Sequence, residues 1–297
     1  MRISSQQIFE GGMRSVQQHT ADVVQAQRQI SSGKKFSNAS DNALAAGLGA
    51  QITFDNAQYT MFKVNQDHLT NYYANADTQL KHLHDAMAAF QLTMQQAAND
   101  TLGETSRLAL QDKLESLRDT IVGFSKAVDA NGVSIFRSTV SEIGNVKVAP
   151  SVELVNGLSH EEVMKFDAKP VVDHTQIPPV TTNSTMEVET LLNAVIQKMK
   201  DGVSLASSAA ADHFDNMGRA LDQVTRKQVM VGLLQNQLDA ATQVTEDQRT
   251  NIEIQRSNLL DTDLAETTAQ LARSNALLQA AQAIITKIDT DTLFQKL

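Results

Sequence analysis

The chain has 297 residues, of which aromatic side chains make up only 4%, and it contains 13 Gly and 4 Pro. So few turn-forming residues argue against an all-β fold. The formal net charge of −9 argues against nucleic acid as a main partner. Because there is no Cys, disulfide scaffolds, thiolate zinc sites and cysteine nucleophiles are excluded.

The sequence favours neither a membrane span nor a cleaved signal peptide. No apolar run reaches the roughly 18 residues that a membrane span needs, so we expect no membrane insertion. The N-terminus lacks the apolar segment of a cleaved signal peptide. Composition alone therefore favours a cytoplasmic protein that is long, acidic and mainly helical.

A seam of apolar and small side chains near the N-terminus predicts the first helix, because its members alternate at spacings of four and three. The seam comprises Phe9, Met13, Val16, Thr20, Val23, Gln27 and Ile30.

The segment after this helix, which starts at Ser31 and Ser32, has the composition of an ordered hinge. Gly33 suits the left-handed position that follows a helix, and Lys34 lies near the negative end of that helix. Ser40 or Asp41 can cap the next helix.

The same periodicity predicts long helices over about 43–99 and 203–257, with a shorter one after residue 101. Thr101 and Glu104 have the spacing of a capping box at the start of the shorter helix. Ser184 and Glu187 repeat that spacing where the helical pattern resumes.

All four prolines lie within residues 150–179, in a stretch that also carries β-type runs such as 146–148 and a turn signal at Asn156-Gly157. This stretch is predicted to be a small β-rich insertion, and a disordered linker is the alternative interpretation.

The C-terminal seam is half polar or small. It comprises Leu260, Leu264, Thr267, Leu271, Ser274, Leu278, Ala281, Ile285 and Ile288. Such a seam buries too little apolar surface to offset the entropy of ordering two helices. We therefore expect both terminal helices to be disordered alone and ordered by neighbours, as elements of self-assembly or partner assembly.

These patterns together predict a mainly α fold, a long antiparallel helical bundle or coiled-coil rod with a small β-rich insertion between its two helical halves. We expect a terminal-helix domain of residues 1–40 and 259–297 and a helical rod domain of residues 41–132 and 185–258. The insertion is expected to span residues 133–184.

Candidate catalytic and metal motifs are incomplete. His160-Glu161 begins a helical zinc motif, but Met164 stands where the second histidine ligand belongs. Gly33-Lys34 resembles the end of a phosphate-binding loop, but Arg28 replaces its first glycine. We therefore expect no catalytic residues, no metal site, no cofactor and no enzymatic activity.

The hinge carries a family resemblance. Residues 29–42, QISSGKKFSNASDN, resemble the L-S-S-G-K-R-I-N-S-P-S-D-D hallmark of the bacterial flagellin superfamily, departing from it at Ala39 and Asn42. Within that superfamily, the opening MRIS, the DANG turn at 129–132 with the following Ile135-Phe136, and the closing TLFQ at 292–295 are most similar to proteins of the hook–filament junction.

The resemblance implies a secreted, structural component of the bacterial flagellum, an adaptor between hook and filament. Its implied partners are hook-associated protein 1, flagellin, copies of itself in a ring, and an export chaperone that holds the C-terminal helix. Export through the flagellar channel without a cleaved signal would replace the cytoplasmic expectation. Two other interpretations stay open: a short flagellin that builds the filament itself, and a signalling-type helical rod.

The resemblance also implies that the terminal helices form the inner layer of a tube. The seam residues expected to pack there are Phe9, Met13, Val16, Val23, Ile30, Leu264, Leu271, Leu278 and Ile285. Contacts at the chain ends are expected from Arg2, Leu293 and Phe294.

Overall fold

The computed structural model describes residues 2–36, 38–99, 101–138, 140–173 and 180–294. Most of these residues are helical: α1 spans Arg2–Ser32, α2 Ala43–Ala97, α3 Glu104–Ser125, α4 His160–Met164, α5 Val188–Lys200, α6 Ser208–Leu260 and α7 Leu264–Phe294. Short strands lie between α3 and α5. The predicted class, mainly α with a small β-rich insertion between two helical halves, is confirmed.

The chain divides into two compact units. The terminal unit comprises Met1–Gln58 and Asp247–Leu297, and the central unit comprises Tyr59–Glu246. The predicted domain boundaries at residues 40, 132, 184 and 258 stay predictions.

The core of the central unit follows the predicted helical stripe of α2. Its fully buried side chains on this helix recur at spacings of three and four, and they are Leu69, Tyr73, Ala76, Leu80, Leu83, Met87, Phe90 and Met94. Within this unit α6 runs antiparallel to α2, because Gln66 Nε2 donates to Thr245 Oγ1 at 3.0 Å while Gln228 Nε2 donates to Asp77 Oδ1 at 3.4 Å.

The β-rich segment consists of β1 (Phe136–Arg137), β2 (Asn145–Ala149), β3 (Val152–Val155), β4 (Leu158–Ser159), β5 (Lys165–Asp167), β6 (Val171–Asp173), β7 (Val180–Thr182) and β8 (Thr185–Glu187). Among the described residues these strands form two-stranded sheets: β1 pairs with β4 in parallel, whereas β2–β3, β5–β8 and β6–β7 are antiparallel. The segment is therefore β-rich rather than a disordered linker. Pro178 and Pro179 lie outside the described residues.

Side chains of α2 fasten this segment to the helical core. Asn65 Nδ2 donates to the Lys147 carbonyl and Gln66 Nε2 to the Val148 carbonyl, both at 2.7 Å. Tyr72 Oη donates to the Ile135 carbonyl at 3.0 Å and accepts from the Leu158 amide at 2.6 Å. Burial raises the pKa of Tyr72 to about 12, so the phenol keeps its proton at physiological pH.

The buried apolar side chains of the strands belong to the same core as the helices. They include Phe136, Val148, Leu154, Leu158 and Phe166. The insertion therefore supplies part of the apolar interior of the central unit. Its strands and the flanking helices share one core.

Both predicted capping boxes are wrong. Gly103 is the N-cap residue of α3 and gives no side-chain cap, while the Thr101 hydroxyl bonds to Asn99 Oδ1 at 2.8 Å. Residues 185–187 form β8, so α5 begins at Val188 rather than beside Ser184. At the first site the residues of the motif form a side-chain turn instead of a cap. At the second site they form a paired strand.

Candidate assembly surface of the terminal helices

The first hinge has the geometry that the sequence predicts at its glycine. Gly33 has φ +69°, and its amide donates to the Gln29 carbonyl at 2.8 Å, which ends α1. The cap of α2 is different from the prediction. Neither Ser40 nor Asp41 provides it; the Asn42 Oδ1 atom accepts from the Ala45 amide at 3.0 Å. Asp41 instead accepts from the Asn38 amide through Oδ2, which closes the hinge turn.

A second hinge, residues 258–263, pairs with the first. The Lys35 amide donates to the Leu260 carbonyl at 2.7 Å, and the Thr262 amide donates to the Gly33 carbonyl at 2.9 Å. Lys35 Nζ adds a bond to the Asn258 carbonyl at 2.9 Å, close to the negative end of α6. The two chain segments that lead into α1 and α7 are therefore held together by backbone hydrogen bonds.

From the paired hinges onward, α1 and α7 run antiparallel. Gly33 lies beside Thr262 at one end, and Gly12 lies beside Ile285 further along. A Cβ atom on Gly12 would lie 2.9 Å from Cγ1 of Ile285, closer than two carbon atoms pack. Glycine at position 12 therefore allows the two helices to approach one another at this point.

Small side chains fill the interior of the terminal unit. Among its described side chains, the well-buried ones with a Cβ are Ala26, Ala45, Thr267, Ser274 and Ala281. Thr267, Ser274 and Ala281 are seven residues apart and line one stripe of α7. Such a stripe lets helices pack closely but buries little apolar area, so this contact contributes little free energy of folding by itself.

Large apolar side chains of the same unit face outward. Phe9 and Met13 are 40% and 42% exposed, and Leu264 is 54% exposed. The further members of this exposed set are Val24, Leu44, Leu48, Phe54, Ile254, Leu277 and Ile284. Large apolar side chains that are exposed together can form an interaction site, and we therefore take these ten residues as candidates for one. We call this set, with the half-buried seam residues named next, the assembly surface.

The predicted packing residues fall into two groups. Val16, Val23, Ile30, Leu271, Leu278 and Ile285 are half-buried, and Phe9, Met13 and Leu264 are exposed. In the hinge, Ser31, Ser32, Lys34, Ser40 and Asp41 are exposed, and Lys34 forms an isolated bridge with Asp261. Arg2 belongs to α1, and Leu293 and Phe294 to α7, but their side chains lie outside those described. The roles assigned to these residues stay predictions.

The ion pair of Arg14 with Glu10 on α1 contributes little stability. Arg14 and Glu10 are 4.0 Å apart and mostly exposed, a spacing at which an ion pair stabilises a helix by at most about 0.5 kcal/mol. Burial of a fully exposed large apolar side chain contributes roughly 1.5–3 kcal/mol, so covering the partly exposed side chains of the assembly surface would contribute a share of that each. Within the described ranges, no helix has the long apolar window that a bilayer crossing requires.

Both helical halves match models of one protein family. The model of the bacterial flagellin N-terminal helical region matches residues 3–141. The model of the bacterial flagellin C-terminal helical region matches residues 214–297. The chain belongs to the bacterial flagellin family.

Relatives of this flagellin-family chain include two hook-associated proteins and a flagellin. Flagellar hook-associated protein 3 from Salmonella typhimurium is 23% identical over 316 residues, and the alignment covers 99% of each chain. The protein of the same name from Escherichia coli is 23% identical over 314 residues, again covering 99% of each chain. A flagellin from Halalkalibacterium halodurans is 20% identical and covers 88% of this chain and 85% of its own.

Solved structures share the fold. The structure of a putative flagellar hook-associated protein from Vibrio parahaemolyticus superposes with a TM-score of 0.62 at 15% identity. It covers 74% of this flagellin-family chain and 100% of its own.

Three features of the terminal unit are not predicted by the sequence. The pairing of the two hinges joins residues more than 200 positions apart, and periodicity carries no such information. Asp263, whose Oδ1 accepts from the Ala265 and Glu266 amides at 2.9 and 3.1 Å, caps α7. The spacing of Asp263 and Glu266 is a capping-box signal that could have revealed it. The approach of Gly12 to Ile285 had no sequence signal beyond the glycine itself.

Proposed function

We propose that this chain is a junction adaptor of the bacterial flagellum that joins the hook to the flagellin filament. The proposal rests on full-length similarity to proteins named flagellar hook-associated protein 3. The observation that carries the mechanism is the inverted packing of the terminal unit, with small side chains inside and large apolar side chains outside. A unit built this way gains its stability from neighbours.

The proposed partners follow from that position in the flagellum. Copies of this chain form a ring through the assembly surface, with hook-associated protein 1 on the hook side and flagellin on the filament side. A chaperone covers the C-terminal helix before export, because α7 exposes Leu264, Leu277 and Ile284 that would otherwise aggregate. The chain then leaves the cell without a cleaved signal peptide.

A short flagellin that forms the filament itself is the second candidate. The 20% identity to a flagellin across most of both chains favours it. The same helices and hinge serve both functions, so the two candidates differ in where along the flagellum the chain is placed and in how many copies are used.

Deleting the gene in its native organism separates the two candidates. An adaptor deletion leaves hooks without filaments and releases unassembled flagellin into the medium. Deletion of a filament-forming flagellin leaves hooks bare with that subunit missing from the medium. Filaments of normal length on the deletion strain would contradict both candidates.

A further inference from the structure

Two Asn-Gly pairs occur in the sequence, Asn131-Gly132 and Asn156-Gly157, and the structure places them in opposite environments. Asparagine followed by glycine is prone to spontaneous deamidation, because no Cβ hinders the next backbone nitrogen from attacking the side-chain amide. We infer that Asn131 is a deamidation site of the folded protein and that Asn156 is protected. The inference does not depend on the proposed function.

Asn131 lies in an exposed turn that follows α3. The Asp129 Oδ1 atom accepts from the Asn131 amide at 2.8 Å and from the Val133 amide at 2.9 Å. The Gly132 nitrogen, the attacking atom, donates to the Asp129 carbonyl at 3.0 Å. Gly132 has φ +77° and has no atom within 4 Å of the position of an added Cβ. No packed neighbour therefore hinders movement at Gly132, and although the Asp129 amide closes the turn on the Val133 carbonyl at 2.8 Å, surface loops open at little free-energy cost.

Asp129 organises this turn as a carboxylate. The hydrogen bond from the Val133 amide contributes most to holding the pKa of Asp129 below its usual value. Hydrogen bonds from the backbone and the side chain of Asn131 add to that effect. These bonds slow ring closure while they last. They all lie on an exposed loop, so water competes for each of them.

Both the side chain and the backbone of Asn156 form hydrogen bonds. Its side-chain Oδ1 atom accepts from the backbone amide of Gly144, and its backbone amide donates to the Gly144 carbonyl, both at 2.9 Å. Gly157 is buried, and a Cβ there would lie 3.1 Å from Cγ of Arg137 and 3.2 Å from Cγ1 of Ile143. The side-chain amide of Asn156 therefore cannot turn toward the Gly157 nitrogen unless the paired segments around it separate.

The reaction needs only water. The Gly132 nitrogen loses its proton and attacks Cγ of Asn131, so that an N–Cγ bond forms. The Cγ–Nδ2 bond then breaks, and the nitrogen leaves as ammonia. Water adds to either carbonyl of the five-membered imide and opens it to aspartate or isoaspartate, with no change in oxidation state.

The product changes the charge of one cavity. Asn131, Asp129 and Arg137 line a single cavity beside α2. Conversion of Asn131 puts a second carboxylate into a lining that already holds Asp129. The isoaspartate form also lengthens the backbone by one atom, which misplaces the amides that bind Asp129.

Peptide mapping by mass spectrometry tests the inference on the full-length protein. Folded and urea-unfolded samples are incubated in mildly alkaline buffer, and the deamidated fraction at each Asn-Gly pair is followed over time. Methylation by a protein isoaspartyl methyltransferase gives a second readout, and the Asn131→Gln variant is the site control.

We expect Asn131 in the folded protein to deamidate at least about tenfold faster than Asn156, because a surface loop opens far more often than a segment packed into the core. In the unfolded chain the two rates should be similar. The Asn131→Gln variant should lose most of the methylation signal of the folded sample. Equal rates at both sites in the folded protein, or an unreactive Asn131, would overturn the inference.

Discussion

Gly12 sets how closely α1 approaches α7, and its neighbour offers a matched control. A Cβ at position 12 meets Cγ1 of Ile285 at 2.9 Å, whereas a Cβ at position 11 has nothing within 4 Å. Ile285 is β-branched, so this atom cannot rotate away freely in a helix. Both glycines lie within α1, but only a Cβ added at position 12 would contact Ile285.

We predict that Gly12→Ala impairs assembly while Gly11→Ala does not. Gly11→Ala should stabilise the helix by about 1 kcal/mol. The measurement is swimming and flagellar incorporation of each variant in a strain that lacks the native gene. Adding Ile285→Ala to Gly12→Ala should restore part of the loss, since it removes the opposing atom. Normal incorporation of Gly12→Ala would show that the helices do not meet here in the assembly.

Two histidines of the central unit make its stability depend on pH. Burial lowers the pKa of His160, which lies 3.3 Å from the Ser125 hydroxyl, and nearby Glu187 opposes that shift while Lys126 adds to it. Burial and Lys198 lower the pKa of His213. The unfolded chain therefore takes up these protons at a higher pH than the folded chain does.

We predict that the free energy of unfolding falls as the pH drops below about 6.5, the ordinary histidine value. The loss continues until the pH passes the lowered native pKa values. Urea unfolding at several pH values measures it, and the His160→Gln, His213→Gln double variant should flatten the dependence in this range. Glu115, Asp129 and Glu161, whose pKa values are lowered, act only in more acid solution. An unchanged slope in the double variant would contradict this account.

At the scale of elements, long-period patterns predicted structure better than short motifs did. The spacing of Leu69, Leu80 and Leu83 predicted α2 to within two residues of its C-terminal end, because one buried stripe requires one continuous helix. The motifs at Thr101 and Ser184 misplaced two helix starts, because a four-residue signal competes with turns and strands of equal local stability.

The candidate site was predictable only in part. Gly33 was identified correctly, because a left-handed residue after a helix strongly favours glycine. The composition of the seam at 260–288 indicates a weak helix contact, but the sequence does not predict which face of the helix is buried. That choice depends on where α1 lies, and the pairing of the hinges decides it.

The half-buried positions of α7 allow the assembly surface to be tested as an element. We predict that Leu271→Asp with Leu278→Asp leaves the central unit folded but blocks incorporation into flagella, because two charges would enter an apolar interface. Gln270→Asp with Gln279→Asp, at exposed polar positions of the same helix, is the charge-matched control and should incorporate normally. Circular dichroism and flagellar preparations provide the readouts. Normal flagella built from the leucine variant would remove α7 from the proposed interface.

For the whole molecule, the two units are expected to differ in stability as monomers. The central unit has a continuous core of large side chains, whereas the terminal unit buries small ones. We predict that limited proteolysis of dilute monomer removes residues 1–35 and 262–297 first and leaves a fragment containing residues 59–246. Mass spectrometry identifies the cuts. Termini that resist as long as the central unit would show that the terminal unit is stable without neighbours.

The position of this chain along the flagellum distinguishes a junction adaptor from a filament subunit. Gold-labelled antibody against this chain, imaged by electron microscopy on isolated flagella, reports where the subunit resides. We expect one narrow band of label between hook and filament. Label along the whole filament would make the chain a flagellin, and flagella with no label would contradict a place in the assembled structure.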